Sequence, residues 1–184
     1  LFSIADEKKQ EKILKNVLEN DEIPAITTPY FNFFELDVLC RMGKLTEVLD
    51  KIRSYWGGML DLGAVTFWEE YDPSVPKEEQ YDMYGDHFGK SLCHAWAASP
   101  IYFLAKYFAG LDLVNKDGVT YILKPQMQYF TELDCTLPVG SNGVMRLVWD
   151  GEILEITPNA DGGILELGEQ KLSLVRGETR RVKI

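Results

Sequence analysis

Residues Ile101–Leu123 read IYFLAKYFAGLDLVNKDGVTYIL, and the periodicity changes within them. Before Gly110 the apolar residues recur at helical spacing; after it they fall into short alternating runs, the period-2 pattern of half-buried strands. VTYILKP, TELDCTLPV, GVMRLVWDG, EILEITPNA, GILELGE, KLSLVRG and TRRVKI follow, separated by Gly, Asn, Asp and Pro. The chain therefore divides into a helical part, residues 1–110, and a small antiparallel β-sandwich, residues 111–184.

Upstream of the switch, the spacing predicts four helices. Ile13, Leu14, Val17 and Leu18 form one apolar stripe, with Asp6 as the N-cap. In TTPYFNFFELDVLCRMG, Thr28 caps, Pro29 takes the first helical position and Gly43 closes the C-terminus. A third helix carries Val48, Leu49, Ile52, Tyr55 and Trp56 on one face and is expected to end at Gly57-Gly58. A fourth is expected from about Ser91 to Phe108, kinked at Pro100.

At 184 residues the chain is long enough for a sizeable core, and its formal net charge is −10. It lacks the dense Lys/Arg cluster that a phosphate-tracking surface needs, which argues against nucleic acid and anionic membrane as partners. No apolar run is long enough for membrane insertion. Cys40, Cys93 and Cys135 are odd in number and form no CxxC pair, so they are expected as buried free thiols. The chain opens on LFSIADEKKQ without a Met and is expected to be part of something longer.

Signatures of nucleotide, zinc-protease and serine-hydrolase chemistry are missing. With only His87 and His94, a histidine-rich metal site cannot be built, and no metal or cofactor is expected. The acidic segment 69–86 lacks the D-x-D-x-D-G spacing of a calcium loop and is expected as a solvated loop. Carboxylate chemistry remains, centred on GAVTFWEEYDP, residues 63–73. Adjacent Glu69 and Glu70 point opposite ways in extended backbone, so either one enters a pocket while the other is solvated, or both are surface residues beside a packed Trp. Phe67 and Trp68 would supply an apolar wall that raises a carboxyl pKa toward the range of a general base. His94, near the start of the fourth helix, is read either as a donor to a sugar hydroxyl or as a capped or packed histidine, and Tyr30 and Trp96 either as stacking on a sugar ring or as core.

The run from Thr28 to Pro73, together with SLCHAWAASP at 91–100, resembles the late part of the catalytic domain of α-L-rhamnosidases, glycoside hydrolase family 78. The matching features are a TPY-led helix at Thr28-Pro29-Tyr30, a Gly63–Glu69 segment ending in Trp-Glu, and a serine-led stretch from Ser91 to His94. The resemblance implies the end of an (α/α)6 barrel, about four helices, followed by a C-terminal β-sandwich. It implies an inverting hydrolase of L-rhamnosides, with Glu69 as general base, His94 contacting the sugar, and Trp68, Tyr30 and Trp96 lining the site. The family's general acid lies in an earlier part of the barrel, so this chain is expected to be inactive alone. Helical faces meant for missing neighbours would favour self-association.

The chain departs from the family pattern at Val65, at Glu70 and from Cys93 to Pro100, and its loop between Glu69 and His94 is longer. The resemblance places the parent protein in the periplasm or outside the cell, with the cytoplasm as the alternative. Two alternatives stand beside the hydrolase: a non-catalytic carbohydrate-binding or scaffold module, and a related (α/α)6 glycosidase or phosphorylase of other specificity.

Overall fold

The structure is a computed structural model describing residues 4–20, 22–116, 119–139 and 143–184. The turn residues expected at 117–118 and 140–142 lie outside the described residues. The chain forms two compact units, Leu1–Pro100 and Ile101–Ile184.

The first unit is helical. Helix α1, Glu7–Ile13, is capped by Asp6, whose side chain accepts from the Lys9 amide, and it continues as a π-helical turn, Leu14–Leu18. Of the apolar stripe only Leu14 is buried in these two turns; Ile13 and Val17 are exposed. Helix α2, Pro29–Arg41, has Pro29 at its start, where a missing N–H costs nothing, and Gly43 follows its end at φ +75°.

Helix α3, Leu45–Asp61, buries Val48, Leu49, Ile52, Tyr55, Trp56 and Met59. It runs through Gly57-Gly58, where the sequence suggested a stop, and the turn falls at Gly63, φ +91°. Gly58 is there for space. A Cβ on it would stand 2.4 Å from the Tyr71 hydroxyl oxygen, so the glycine seats that ring against the helix. Tyr55 reaches the same corner, donating to the Thr27 carbonyl and accepting from the Tyr71 amide at 3.1 Å.

The expected fourth helix is different in kind. Residues 91–94 are not helical, Ala95–Ala97 is a single 3-10 turn, and helix α4 covers only Ser99–Phe103 before a π-helical turn, Leu104–Phe108. Pro100 therefore sits in the first turn of α4, where it is tolerated, and kinks nothing. Trp56 holds the end of this stretch. Its indole N–H donates at 2.8 Å to the Ala97 carbonyl, a bond that is buried and ties the 3-10 turn to α3.

The second unit, from Ile101, includes the turn Leu104–Phe108 ahead of its strands. Its Phe108 meets Tyr129 and Phe130 edge-on, at 5.5 and 5.8 Å. Eight strands follow among the described residues: β1 Leu111–Lys116, β2 Val119–Leu123, β3 Leu133–Val139, β4 Gly143–Trp149, β5 Ile153–Pro158, β6 Gly163–Leu167, β7 Gln170–Leu174 and β8 Arg180–Lys183. They make two four-stranded sheets, ordered β1-β2-β6-β7 and β3-β4-β5-β8. Strand β1 was not among the runs read from the sequence.

Every pairing is antiparallel except β2 with β6. That exception follows from the path. The chain leaves the first sheet after β2, builds β3–β5 in the second, and returns beside β2 as β6. One core joins the inner faces, with Tyr121, Leu123 and Leu165 from the first sheet and Met145, Leu147, Leu154 and Ile156 from the second, all 0% exposed. Alternation along β4 puts Met145, Leu147 and Trp149 inward, as period 2 requires. Gly110, φ +76°, makes the entry to β1 possible, because a Cβ there would meet the Lys124 carbonyl oxygen at 1.9 Å. No helix among the described residues is long and apolar enough to cross a membrane.

Candidate active site

Two non-helical segments of the first unit run side by side. The Glu69 amide donates to the Ser91 carbonyl at 2.9 Å, and the His94 amide donates to the Phe67 carbonyl at 2.8 Å. The Thr66 hydroxyl adds a bond to the Leu92 carbonyl. This ladder brings together Glu69 and His94, twenty-five positions apart in sequence. His94 accordingly occupies an extended position ahead of the 3-10 turn, φ −121° and ψ 113°, not a helix.

Glu69 is 5% exposed and Trp68 beside it 3%. Both carboxylate oxygens have partners. Its Oε1 accepts from the Tyr84 hydroxyl at 2.8 Å, its Oε2 accepts from the Ser91 amide at 3.1 Å, and His94 Nδ1 stands 3.7 Å from Oε2. Burial pushes this carboxyl's pKa up, but the Tyr84 and Ser91 bonds and the charges of His94 and Lys90 outweigh it, and the net direction is down. The apolar wall expected to raise it does not prevail. The cover is thin: Tyr84, which lies on the carboxylate, is itself 80% exposed.

Tyr84 was not foreseen. It belongs to a two-residue turn in which Met83 and Asp86 exchange backbone hydrogen bonds at 3.0 and 2.9 Å. Tyr84 and Gly85 both have positive φ, +55° and +82°. That is the primed turn normally written Asn-Gly or Gly-Gly, and a tyrosine in its first central position costs about 1–2 kcal/mol. Tyr84 is the only non-glycine with positive φ among the described residues.

The segment 69–86 is thus not simply a solvated loop. Its residues 73, 74, 76–79, 82 and 84–86 are exposed, yet Glu69 and Gln80 are buried, and Gln80 clamps the loop by donating to the Asp72 and Val75 carbonyls at 2.6 and 2.8 Å. Glu70 points away from Glu69, as adjacent residues in extended chain must, but it accepts from the Thr27 hydroxyl at 2.9 Å and is half-buried. Lys90 is 8% exposed, and burial holds its ammonium pKa down against the pull of Glu70, Asp72, Asp82 and Glu69.

The aromatic residues divide. Trp96 is 42% and Tyr30 44% exposed, their ring centroids 5.5 Å apart. The His94 ring lies 4.1 Å from Trp96 at 32°, and the Trp96 indole donates to the Glu69 carbonyl at 3.3 Å. Glu69, His94, Trp96 and Tyr30 thus form one continuous patch. Trp68 is turned inward onto Tyr81 at 5.6 Å and is almost wholly buried. A cleft of about 340 Å³ is lined by Ala64, Val65, Trp68, Tyr81, Phe88 and Leu92, but not by Glu69. Of the thiols, Cys40 is buried as expected, Cys135 is half-buried and Cys93 is exposed, which corrects the reading of all three as core. No cluster of three potential metal ligands occurs among the described residues.

Four helices leading into a two-sheet sandwich, with a covered carboxylate beside exposed aromatic rings, define the class of architecture. Neither the family models nor the curated proteins contain a match to this chain. A solved structure, the crystal structure of a GH78 family rhamnosidase of Bacillus sp. GL1, shares the fold with a TM-score of 0.65 at 22% identity. The match covers 90% of this chain and 18% of that one. The chain therefore has the fold of a short part of that enzyme.

Proposed function

We propose that the chain is the C-terminal portion of an inverting glycoside hydrolase acting on terminal α-L-rhamnosyl residues. In this reading, residues 1–110 are the end of an (α/α)6 catalytic domain and residues 111–184 its C-terminal sandwich. The observation that carries the reading is the carboxylate of the Trp-Glu pair: covered, ionised, and set beside His94 and the Tyr30–Trp96 patch. Glu69 is the general base. As water attacks the anomeric carbon, its proton passes to the Glu69 carboxylate, while an acid on the opposite side protonates the departing glycosidic oxygen. The two carboxyl groups of such a site stand about 6.5–9.5 Å apart to admit the water.

His94 and Trp96 would bind the sugar, with Tyr30 extending the stacking surface and Trp68 supporting Glu69 from below. The low pKa keeps Glu69 ionised but makes it a weak base. Upward tuning then has to come from desolvation when the rest of the site closes over it. The second partner of the pair belongs to the rest of the hydrolase, so this chain alone should turn over no glycoside.

The test is Glu69→Gln in the complete hydrolase. An amide of equal size cannot take the proton, and kcat should fall by about 10²–10⁴-fold. Glu70→Gln, whose side chain faces Thr27, should leave turnover near wild type. Near-full activity in Glu69→Gln would remove the assignment. A second reading, a carbohydrate-binding module without chemistry, draws on the exposed Tyr30–Trp96 pair. It predicts sugar binding that survives Glu69→Gln and no turnover by the complete protein.

A further inference from the structure

We propose that Tyr84 is a positioning residue for Glu69: its phenol, delivered by a strained turn, holds one carboxylate oxygen so that the other faces His94. This rests on the reading of Glu69 as a base, and it concerns how that base is held. Three observations converge. The Tyr84 hydroxyl donates to Glu69 Oε1 at 2.8 Å, fifteen residues away in sequence. Its backbone adopts a left-handed conformation that tyrosine rarely takes, in a position where Asn or Gly would serve the turn better. Its ring is 80% exposed, so the residue is not kept there to fill a core.

A strained backbone persists where the surroundings over-determine it, and such positions cluster at functional sites. Here the hydroxyl bond is the visible return for that strain. With Oε1 accepting from Tyr84, and Oε2 accepting from the Ser91 amide, the carboxylate is held at both oxygens. Oε2 is the oxygen on the His94 side, at 3.7 Å from Nδ1. Any proton that Glu69 takes from a water beside His94 therefore goes to Oε2. The charged and titratable groups facing Glu69 are His94, Lys90 and Tyr84, with Glu70, Asp72 and Asp82 grouped around Lys90. Tyr84 is the one whose hydrogen bond to Glu69 can be removed by deleting a single atom.

The experiment follows the Glu69 side-chain carboxyl by carbon NMR during a pH titration of this chain, in wild type, Tyr84→Phe and Tyr84→Asn. Phe removes only the hydroxyl. Asn suits the turn better than tyrosine but withdraws the phenol. Both variants should move the Glu69 midpoint upward, and the Met83 and Asp86 amides should stay protected from exchange in Tyr84→Asn. An unchanged midpoint in Tyr84→Phe overturns the proposal. So does a shift seen only when the Met83–Asp86 turn is lost.

A second arm uses the complete hydrolase. There Tyr84→Phe should move the acid limb of kcat/KM upward with little change in KM, whereas a packing role would leave the limb in place. An acid limb that stays put likewise overturns the proposal. If Glu69→Gln keeps full activity, the base assignment falls, but the titration still decides whether Tyr84 holds the carboxylate.

Discussion

A carboxylate with a depressed pKa is a stability device as well as a chemical one. Glu69 binds its proton less readily folded than unfolded, so its contribution is fully present above the ordinary carboxyl value of 4.5. It is lost as pH falls through the lower folded value. The stability difference between wild type and Glu69→Gln should therefore be largest near neutrality and shrink as pH falls below 4.5, as thermal melts across that range will show. A difference that grows on acidification would mean that burial, not Tyr84, Ser91, His94 and Lys90, dominates the site.

The thiols offer another contrast at the same scale. Burial, with help from Asp37, pushes the Cys40 pKa up to about 12, so Cys40 remains an inert thiol, while Cys93 is exposed. Iodoacetamide at pH 8 should label Cys93 quickly and Cys40 only on unfolding, as peptide mapping will report.

At the scale of elements, two neighbouring glycines in α3 make opposite predictions. A Cβ at Gly57 meets nothing within 4 Å, whereas one at Gly58 meets the Tyr71 ring at 2.4–2.7 Å. Gly57→Ala should stabilise the helical unit by about 0.8–1 kcal/mol, the ordinary helix-propensity gain. Gly58→Ala has the same gain but must displace a ring packed on Tyr55, and overpacking costs about 1–3 kcal/mol. Urea melts of the two variants should shift in opposite directions. Matching shifts would mean that Tyr71 moves aside freely. Elsewhere, the departure of residues 91–94 from helix goes with their hydrogen bonds to residues 66–69, and the Trp56 indole binds the Ala97 carbonyl beyond them. Residues with good helical spacing therefore end as an extended segment and a 3-10 turn.

At the scale of the molecule, the core of the second unit is self-contained. Its buried members run from Ala109 to Leu174, and the side chains packed on it from Ala105 to Val182. A fragment comprising residues 101–184 should fold alone, with a cooperative transition by near-ultraviolet circular dichroism that follows the environment of buried Trp149. Leu147→Ala should cost that fragment about 2–5 kcal/mol. A fragment without a cooperative melt would show that the sandwich needs the helices. The helical unit is less enclosed, with Ile13, Val17, Phe31, Leu60 and Val65 exposed. Exposed large apolar side chains favour association where they adjoin. Concentration-dependent sedimentation of the purified chain, abolished by Phe31→Glu with Leu60→Glu, is the expected outcome.

What the sequence alone determined is local and periodic. The Asp6 cap, Pro29 at the start of α2, the buried face of α3 and the alternation along β4 and β5 all follow from spacing, because side-chain direction repeats every 3.6 or 2 residues. That the stretch from Gly63 to Glu69 runs beside the stretch from Ser91 to His94 does not follow from periodicity, which says nothing about residues twenty-five positions apart. Only the tertiary structure set the backbone ladder that brings Glu69 to His94 and holds residues 91–94 out of helix, the phenol of Tyr84 on the carboxylate, and the indole of Trp56 on the Ala97 carbonyl. It also decided the parallel pairing of β2 with β6, which depends on the chain's return path between two sheets. Each of these is a hydrogen bond between residues distant in sequence, and its formation depends on where the chain has already been carried, not on what its neighbours are.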